Sequence, residues 1–209
     1  MSGPTSGFDA AVAALARGGV IVYPTETFYG LGAAALHPAA VHAAAALKGR
    51  DATKPIAVLV GDRAMLDRVV ARVPRPAAAL IERFWPGPLT LVLPARAGLP
   101  PELTAGSGRI GVRISSHPLA HALVTALGTP STTTSANAAG AAPPADVGAA
   151  VAAFGPRVDA YLDGGVLAGG LPSTVLVVED EMARVVRAGA VAIEALRAVL
   201  GATPIHFPD

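Results

Sequence analysis

The chain has 209 residues, 52% hydrophobic and 15% charged, which is enough apolar material for a buried core and argues against disorder. It contains no cysteine, which excludes disulfides, thiolate metal sites and a cysteine nucleophile. No run of 18 apolar residues occurs, and the start, MSGPTSGFDAAVAALARGG, lacks the basic-then-apolar pattern of a secretory signal. The expectation is a cytoplasmic protein with no membrane association and one domain, residues 1–209. The formal net charge of +1 conceals an asymmetry: residues 48–113 carry eleven Lys or Arg against five Asp or Glu, and the rest carry five against ten. A cationic third of the chain suits an anionic partner, although a solvated basic face would look the same.

Residues 8–17 have helical spacing (Phe8, Val12, Leu15), ended by Gly18-Gly19. Residues 20–23 form a short apolar β-type run, followed by PTETFYGLG (24–32), a loop rich in hydroxyls and glycine. Residues 38–47 read as a helix with Pro in its first turn, delivering Lys48 at the C-terminal end. A strand at 56–60, helices at 63–71 and 76–84, and, after the turn WPGP, strands at 89–93 and 109–114 follow. Ser116 is the expected N-cap of a helix reaching Ala126. The β-branched run 130–134 leads into the loop SANAAGAAPP; a helix at 146–154, strands at 158–162, 174–178 and 184–186, and a helix at 191–200 complete the chain. Without a strict βαβ rhythm, the expected class is α/β of the α+β type, a twisted, largely mixed β-sheet flanked by helices.

Three segments could carry chemistry. LKGRDATKP (47–55) holds both lysines of the chain, Lys48 and Lys54, around Arg50. A lysine is a compact charge and an arginine a planar fork, so together they can neutralise a triphosphate; alternatively Asp51 pairs with Arg50 or Lys54 in an ordinary surface cluster. No GxxxxGK[ST] phosphate loop is present. In PTETFYGLG the threonines offer hydroxyls, Gly30 and Gly32 permit close approach, and Glu26 is either a base or a cap or salt-bridge partner. STTTSAN (131–137) puts five hydroxyls and an amide at the end of an extended run. Such a loop can hold phosphate, ribose or an amino acid without adding charge, or be a simple turn. His117 and His121 stand at i, i+4 without a third ligand nearby in sequence, so no protein-held metal is expected. Aromatic residues, at 4%, give little for stacking on single-stranded bases.

The order of these segments is more telling than any one of them. A strand followed by PTETFYGLG, then KxR about twenty residues on, WPGPLT, VR and STTTSAN resembles the YrdC/TsaC family of L-threonylcarbamoyladenylate synthases, over residues 8–190. The resemblance implies a sheet-and-helix fold around a positively charged cavity and the short, single-domain form, with the C-terminal helix at 191–200. It implies condensation of L-threonine, bicarbonate and ATP to threonylcarbamoyl-AMP and pyrophosphate, the first step of t6A formation at tRNA position 37. Lys48, Arg50, Ser135 and Asn137 match the ATP-handling positions, with Lys54 and Arg187 as further nucleotide contacts and Lys48 and Arg50 as the catalytic pair. Thr27, Arg113, Thr133 and Ser173 match the threonine-holding positions. Mg2+ would arrive on the ATP phosphates, no redox cofactor is implied, and hand-over to tRNA threonylcarbamoyl-transfer proteins would follow. Three departures stand out: Lys54 where many members have a smaller polar residue, Leu59 where longer members place a histidine, and RAGAV (187–191) in place of an RPGA-type sequence. Carbamoyl transfer to another acceptor and direct binding of double-stranded RNA or tRNA are the alternative readings.

Overall fold

The computed structural model describes residues 7–207. Helix α1 (Phe8–Ala16) buries Ala11, Ala14 and Leu15, the face set by its i, i+3, i+4 spacing. Strand β1 (Ile21–Tyr23) is buried throughout and pairs antiparallel with β2 (Gly30–Gly32). That second strand lies inside the segment expected to be all loop; glycine's weak strand preference is overridden by pairing on both sides. Helix α2 (Pro38–Lys48) starts at His37, whose side chain accepts from the Ala40 amide, and ends at Gly49 in the left-handed region (φ 63°, ψ 39°). It runs one residue beyond the expected end, and that residue is Lys48.

The remaining elements are β3 (Val58–Leu59), α3 (Arg63–Leu66), α4 (Arg75–Phe84), β4 (Leu89–Pro94), α5 (Pro101–Thr104), β5 (Arg109–Arg113) and α6 (Pro118–Leu127). After them come β6 (Ser131–Thr132), β7 (Thr134–Ser135), α7 (Val147–Phe154), β8 (Ala160–Tyr161), β9 (Thr174–Val178), β10 (Ala183–Arg187), α8 (Ile193–Leu200) and β11 (Ile205–His206). The expected mixed pairing is present, distributed over two sheets ordered β7-β2-β1-β8 and β11-β10-β9-β4-β5-β3-β6. Parallel pairs (β4 with β9, β3 with β5) alternate with antiparallel ones in the larger sheet.

Several boundaries differ from the sequence expectation for identifiable reasons. The helix expected over 63–71 stops at Leu66, because Val70 forms a bridge with Ala95 and Ala71 donates to the Pro94 carbonyl. Ser116 does not cap α6; Pro118 takes the first helical position, and His117 accepts from the Leu119 amide. The run at 130–134 is divided. Its first half, β6, joins the larger sheet beside β3, and β7 joins the smaller one beside β2. Period-two spacing cannot reveal such a crossing, since both halves are extended. Helix α5 and strand β11 were not expected; each is too short to show a period.

One apolar cluster joins β1, the larger sheet and helices α1, α4, α6 and α8; a second joins the smaller sheet to α2 and α7. Among the described residues no helix is long and apolar enough to cross a membrane. The crossing at Thr133 therefore stitches the two sheets together where the hydroxyl-rich segment lies.

Candidate active site

Lys48 lies in the last turn of α2 and is 7% exposed. Its ammonium donates to the Ser135 carbonyl at 2.7 Å and meets Ser135 Oγ, the Asn137 carbonyl and Asn137 Oδ1, each at 3.2 Å. All four acceptors are neutral. Burial, and secondarily the charge of Arg50, push the ammonium down to about 8. An ammonium desolvated without a counter-ion attracts an anion strongly, because no carboxylate already cancels its field. Asn137 is held by its own amide, which donates to the carbonyls of Ala138 and Ala141.

Gly49 bridges Lys48 and Arg50. With φ at 63° it turns the chain out of α2 in a conformation that a side chain would strain, and nothing stands within 4 Å of its missing Cβ. Arg50 then folds back across its own loop. Nε donates to the Lys54 carbonyl at 2.7 Å, NH2 to the Pro55 carbonyl at 2.5 Å, and NH1 to Thr134 Oγ1 at 3.3 Å. The Asp51 side chain hydrogen-bonds the Thr53 amide and hydroxyl and makes no hydrogen-bonded ion pair with Arg50 or Lys54, although it lies within the field of both cations. Lys54 contributes its carbonyl to Arg50, and its side chain is exposed. Beside this loop, between α2 and α5, opens a cavity of about 420 Å3 lined in part by Arg50, Lys54, Ile56 and Pro101.

A second centre forms at the end of β5. Arg113 is 4% exposed and donates to Glu26 Oε1 at 2.6 Å, while Ser115 donates to Glu26 Oε2. Glu26 is thus a salt-bridge partner, one of the two roles its sequence setting allowed. The Nε of Arg113 is buried and lacks a hydrogen-bond partner. A buried guanidinium donor left open in this way is suited to an arriving carboxylate. Thr27, the residue after Glu26, is buried with its hydroxyl 3.1 Å from that of Thr25. Leu59, buried at 1% exposure, pairs with Arg113 across β3 and β5, so no polar side chain stands at that departure position.

The third group sits at the adjoining strand ends. Arg187 grips Ser173, with Nε and NH2 on its carbonyl at 3.1 and 2.8 Å and NH2 on its hydroxyl at 3.0 Å. Ser173 Oγ also lies 3.0 Å from Thr90 Oγ1. Partial burial, then the positive charge of Arg113, lower the Arg187 guanidinium from its ordinary value, which places the two arginines in one field. RAGAV keeps this geometry through Gly189, where a Cβ would fall 2.2 Å from the Pro172 carbonyl oxygen. Thr133, between β6 and β7, donates its amide to Ala57.

The structure therefore joins Lys48, Arg50, Ser135 and Asn137 in one cluster, with Thr134 as an added member, and places Arg113 beside Thr27's loop and Ser173 beside Arg187. Sequence reading passed over Ser115, although a period of two from Arg113 puts it on the same side of an extended chain. His117 caps α6 and His121 meets the Gly61 carbonyl at 3.0 Å; among the described residues no group of three His, Asp or Glu could hold a metal.

The family model described as telomere recombination, which covers Sua5, YciO and YrdC proteins, matches residues 13–189. The chain belongs to this Sua5/YciO/YrdC family. The threonylcarbamoyl-AMP synthase of Bacillus subtilis is 38% identical over 197 residues, 94% of this chain and 56% of that protein. A putative threonylcarbamoyl-AMP synthase of Mycobacterium leprae is 37% identical over 95% of this chain and 90% of its own. Among solved structures, Pyrococcus abyssi Sua5 complexed with L-threonine superposes with a TM-score of 0.90 at 33% identity, over 95% of this chain and 58% of that one. The chain thus spans little more than half the length of some family members and nearly all of others.

Proposed function

We propose that this protein condenses L-threonine, bicarbonate and ATP into L-threonylcarbamoyl-AMP and pyrophosphate, the first step of t6A formation in tRNA. Its relatives' activities support the reading, and the observation that carries it is the ammonium of Lys48, buried among neutral oxygens beside Arg50.

The chemistry needs two anions brought together. The neutral amine of threonine adds to carbon dioxide with loss of a proton, or condenses with bicarbonate with loss of water, to give a carbamate, whose oxygen then bonds to the α-phosphorus as the bond to pyrophosphate breaks. Negative charge grows on the leaving pyrophosphate, and cations fixed beforehand stabilise it without reorganisation. Lys48 and Arg50 take that role, with Ser135 and Asn137 holding Lys48 in place; Arg187 is a further nucleotide contact and Lys54 a peripheral one. Arg113 receives the threonine carboxylate, and Thr27, Thr133 and Ser173 complete the amino-acid side. No side-chain nucleophile is required, because the task is orientation and charge compensation.

The ammonium and guanidinium of the cluster suit phosphate oxygens, not a metal; Mg2+ would arrive bound to the nucleotide phosphates, where the neutral oxygens of Ser135, Asn137 and Thr134 are the cluster groups that could ligate it. When bound, Mg2+ neutralises part of the triphosphate charge. The protein is placed in the cytoplasm, passing its product to a tRNA threonylcarbamoyl-transfer protein. Incubation with ATP, Mg2+, bicarbonate and each amino acid in turn tests the reading. Threonine-dependent pyrophosphate release is expected, and release that is indifferent to the amino acid, or none, would sink it.

A further inference from the structure

Tyr23, the last residue of β1, is fully buried, and its hydroxyl donates to the Thr132 carbonyl at 2.9 Å, 109 positions along the chain. That carbonyl lies where the chain leaves β6 of the larger sheet for β7 of the smaller one. The amides on either side are already served, Thr132 donating to the Ala33 carbonyl and Thr133 to the Ala57 carbonyl. Room for the phenol comes from β2. A Cβ on Gly32 would fall 2.6 Å from Tyr23 Cε1, so the ring lies across that strand only because residue 32 has no side chain. Burial pushes the phenol up to about 12 and so keeps its proton in place; the strongest opposing influence is hydrogen bonding from the Thr133 hydroxyl.

The direction of hydrogen bonding passes from Tyr23 to Thr133. A phenol has one proton, and this one is spent on the Thr132 carbonyl, so a second hydroxyl can meet the phenol oxygen only as a donor. Ser131 places its own proton on the Thr132 carbonyl, at 3.3 Å. Thr133 is the partner left, and it is only partly buried, so the residue is reachable from the site as well. With its proton given to the phenol, its oxygen has lone pairs alone to offer a substrate. Such an acceptor disfavours a carboxylate and suits a hydroxyl. The β-hydroxyl of threonine is the donor that persists through the reaction, since the amine sheds protons to become the carbamate nitrogen. We propose that Tyr23 is a positioning residue that fixes the Thr133 hydroxyl as an acceptor for this β-hydroxyl, so that the pair tells threonine from valine, its isostere without that donor. This rests on the reading of Thr133 as part of the amino-acid site. It adds the direction of the hydrogen bond and the residue that sets it.

Pyrophosphate release with threonine and with valine gives a ratio of kcat/KM that a purely structural role would not move. The wild type is expected to favour threonine by about a hundredfold or more, because a site built to hold a substrate hydroxyl rejects the analogue lacking it. Tyr23→Phe should cut this ratio about tenfold, the loss of one buried hydrogen bond, through threonine alone while valine is unchanged. Thr133→Val should cut the ratio at least as far, and the double variant no further than Thr133→Val. If Tyr23→Phe slows both substrates together, or neither, the ratio is kept, Tyr23 only holds the strand crossing and the proposal is overturned. Should Tyr23→Phe fail to fold, p-aminophenylalanine at position 23 supplies a donor to the Thr132 carbonyl but a poor acceptor for Thr133. The ratio must fall there too, and a preserved ratio overturns the proposal. A wild type that uses threonine and valine equally also overturns it. Absence of release with every amino acid overturns the reading of the whole site, a failure distinct from that of Tyr23.

Discussion

The ammonium of Lys48 lies 2.7 Å from the carbonyl oxygen of Ser135, a residue eighty-seven positions further along the chain. The contact closes α2 against β7 and fixes a buried cation where it faces neutral oxygens only. Replacing Lys48 with Ala removes the charge and leaves the Asn137 and Ser135 oxygens without their donor. Pyrophosphate release should fall by about 10²–10³-fold, the usual loss for one preorganised electrostatic group. Because the deleted charge is itself poorly solvated, the thermal midpoint should change little. Activity within tenfold of wild type would contradict the assignment.

The depressed Lys48 value sets a pH dependence. The group must be cationic to attract phosphate, and burial brings it to about 8, so ATP affinity should decline as pH rises through 8 to 9. Binding of the anion favours the protonated form, so at pH 8 the complex should take up protons, visible as a binding enthalpy that differs between buffers. Stability of the free protein runs the other way. The unfolded lysine holds its proton up to its ordinary 10.5, so this group's contribution to stability rises between about 8 and 10.5. An ATP affinity that is flat from pH 7 to 9.5 is incompatible with this.

Arg50 and Lys54 should respond differently despite their proximity. Arg50 uses three nitrogens, two of them on backbone carbonyls of its own loop, and a lysine cannot reproduce that fork. Arg50→Lys is expected to raise the KM for ATP about tenfold or more, the loss of one charge-assisted hydrogen bond. Lys54→Ala keeps the carbonyl that Arg50 uses and should stay within about threefold of wild type. Steady-state kinetics on the two variants decide it; equal effects would put the Lys54 side chain in the site.

At Gly189 the missing side chain is the functional feature. A Cβ there would press on the Pro172 carbonyl and the Ser173 backbone, and backbone cannot yield as a flexible side chain does. Gly189→Ala should destabilise by about 1–3 kcal/mol, as overpacking does, and raise the KM for threonine by displacing Ser173 from Arg187. Thermal melts with kinetics check both halves. An unchanged melting point would show that the strand end relaxes freely.

Much of this architecture was legible before any coordinates. Long periodic segments such as α1, α2 and α4, and the apolar strands β4, β5 and β9, declare themselves because burial imposes a spacing on side chains. The cationic cluster was visible in composition, and the order of five motifs pointed to the family. What spacing could not show was where short extended pieces go: β2 within a glycine-rich loop, or the split of residues 131–135 between two sheets. Those depend on partners far away in sequence, and two-residue strands carry no period to read.

The sequence by itself determined which residues carry charge and hydroxyls, that the long periodic segments α1, α2 and α4 are helical, and that Lys48 falls at a helix end. Only the tertiary structure decided which of these groups share a site. It set Lys48 on Ser135 and Asn137, folded Arg50 back onto the Lys54 carbonyl of its own loop, and gave Glu26 to Arg113. The physical reason is that burial and pairing strengthen with low dielectric and close approach, and both arise only when distant strands pack.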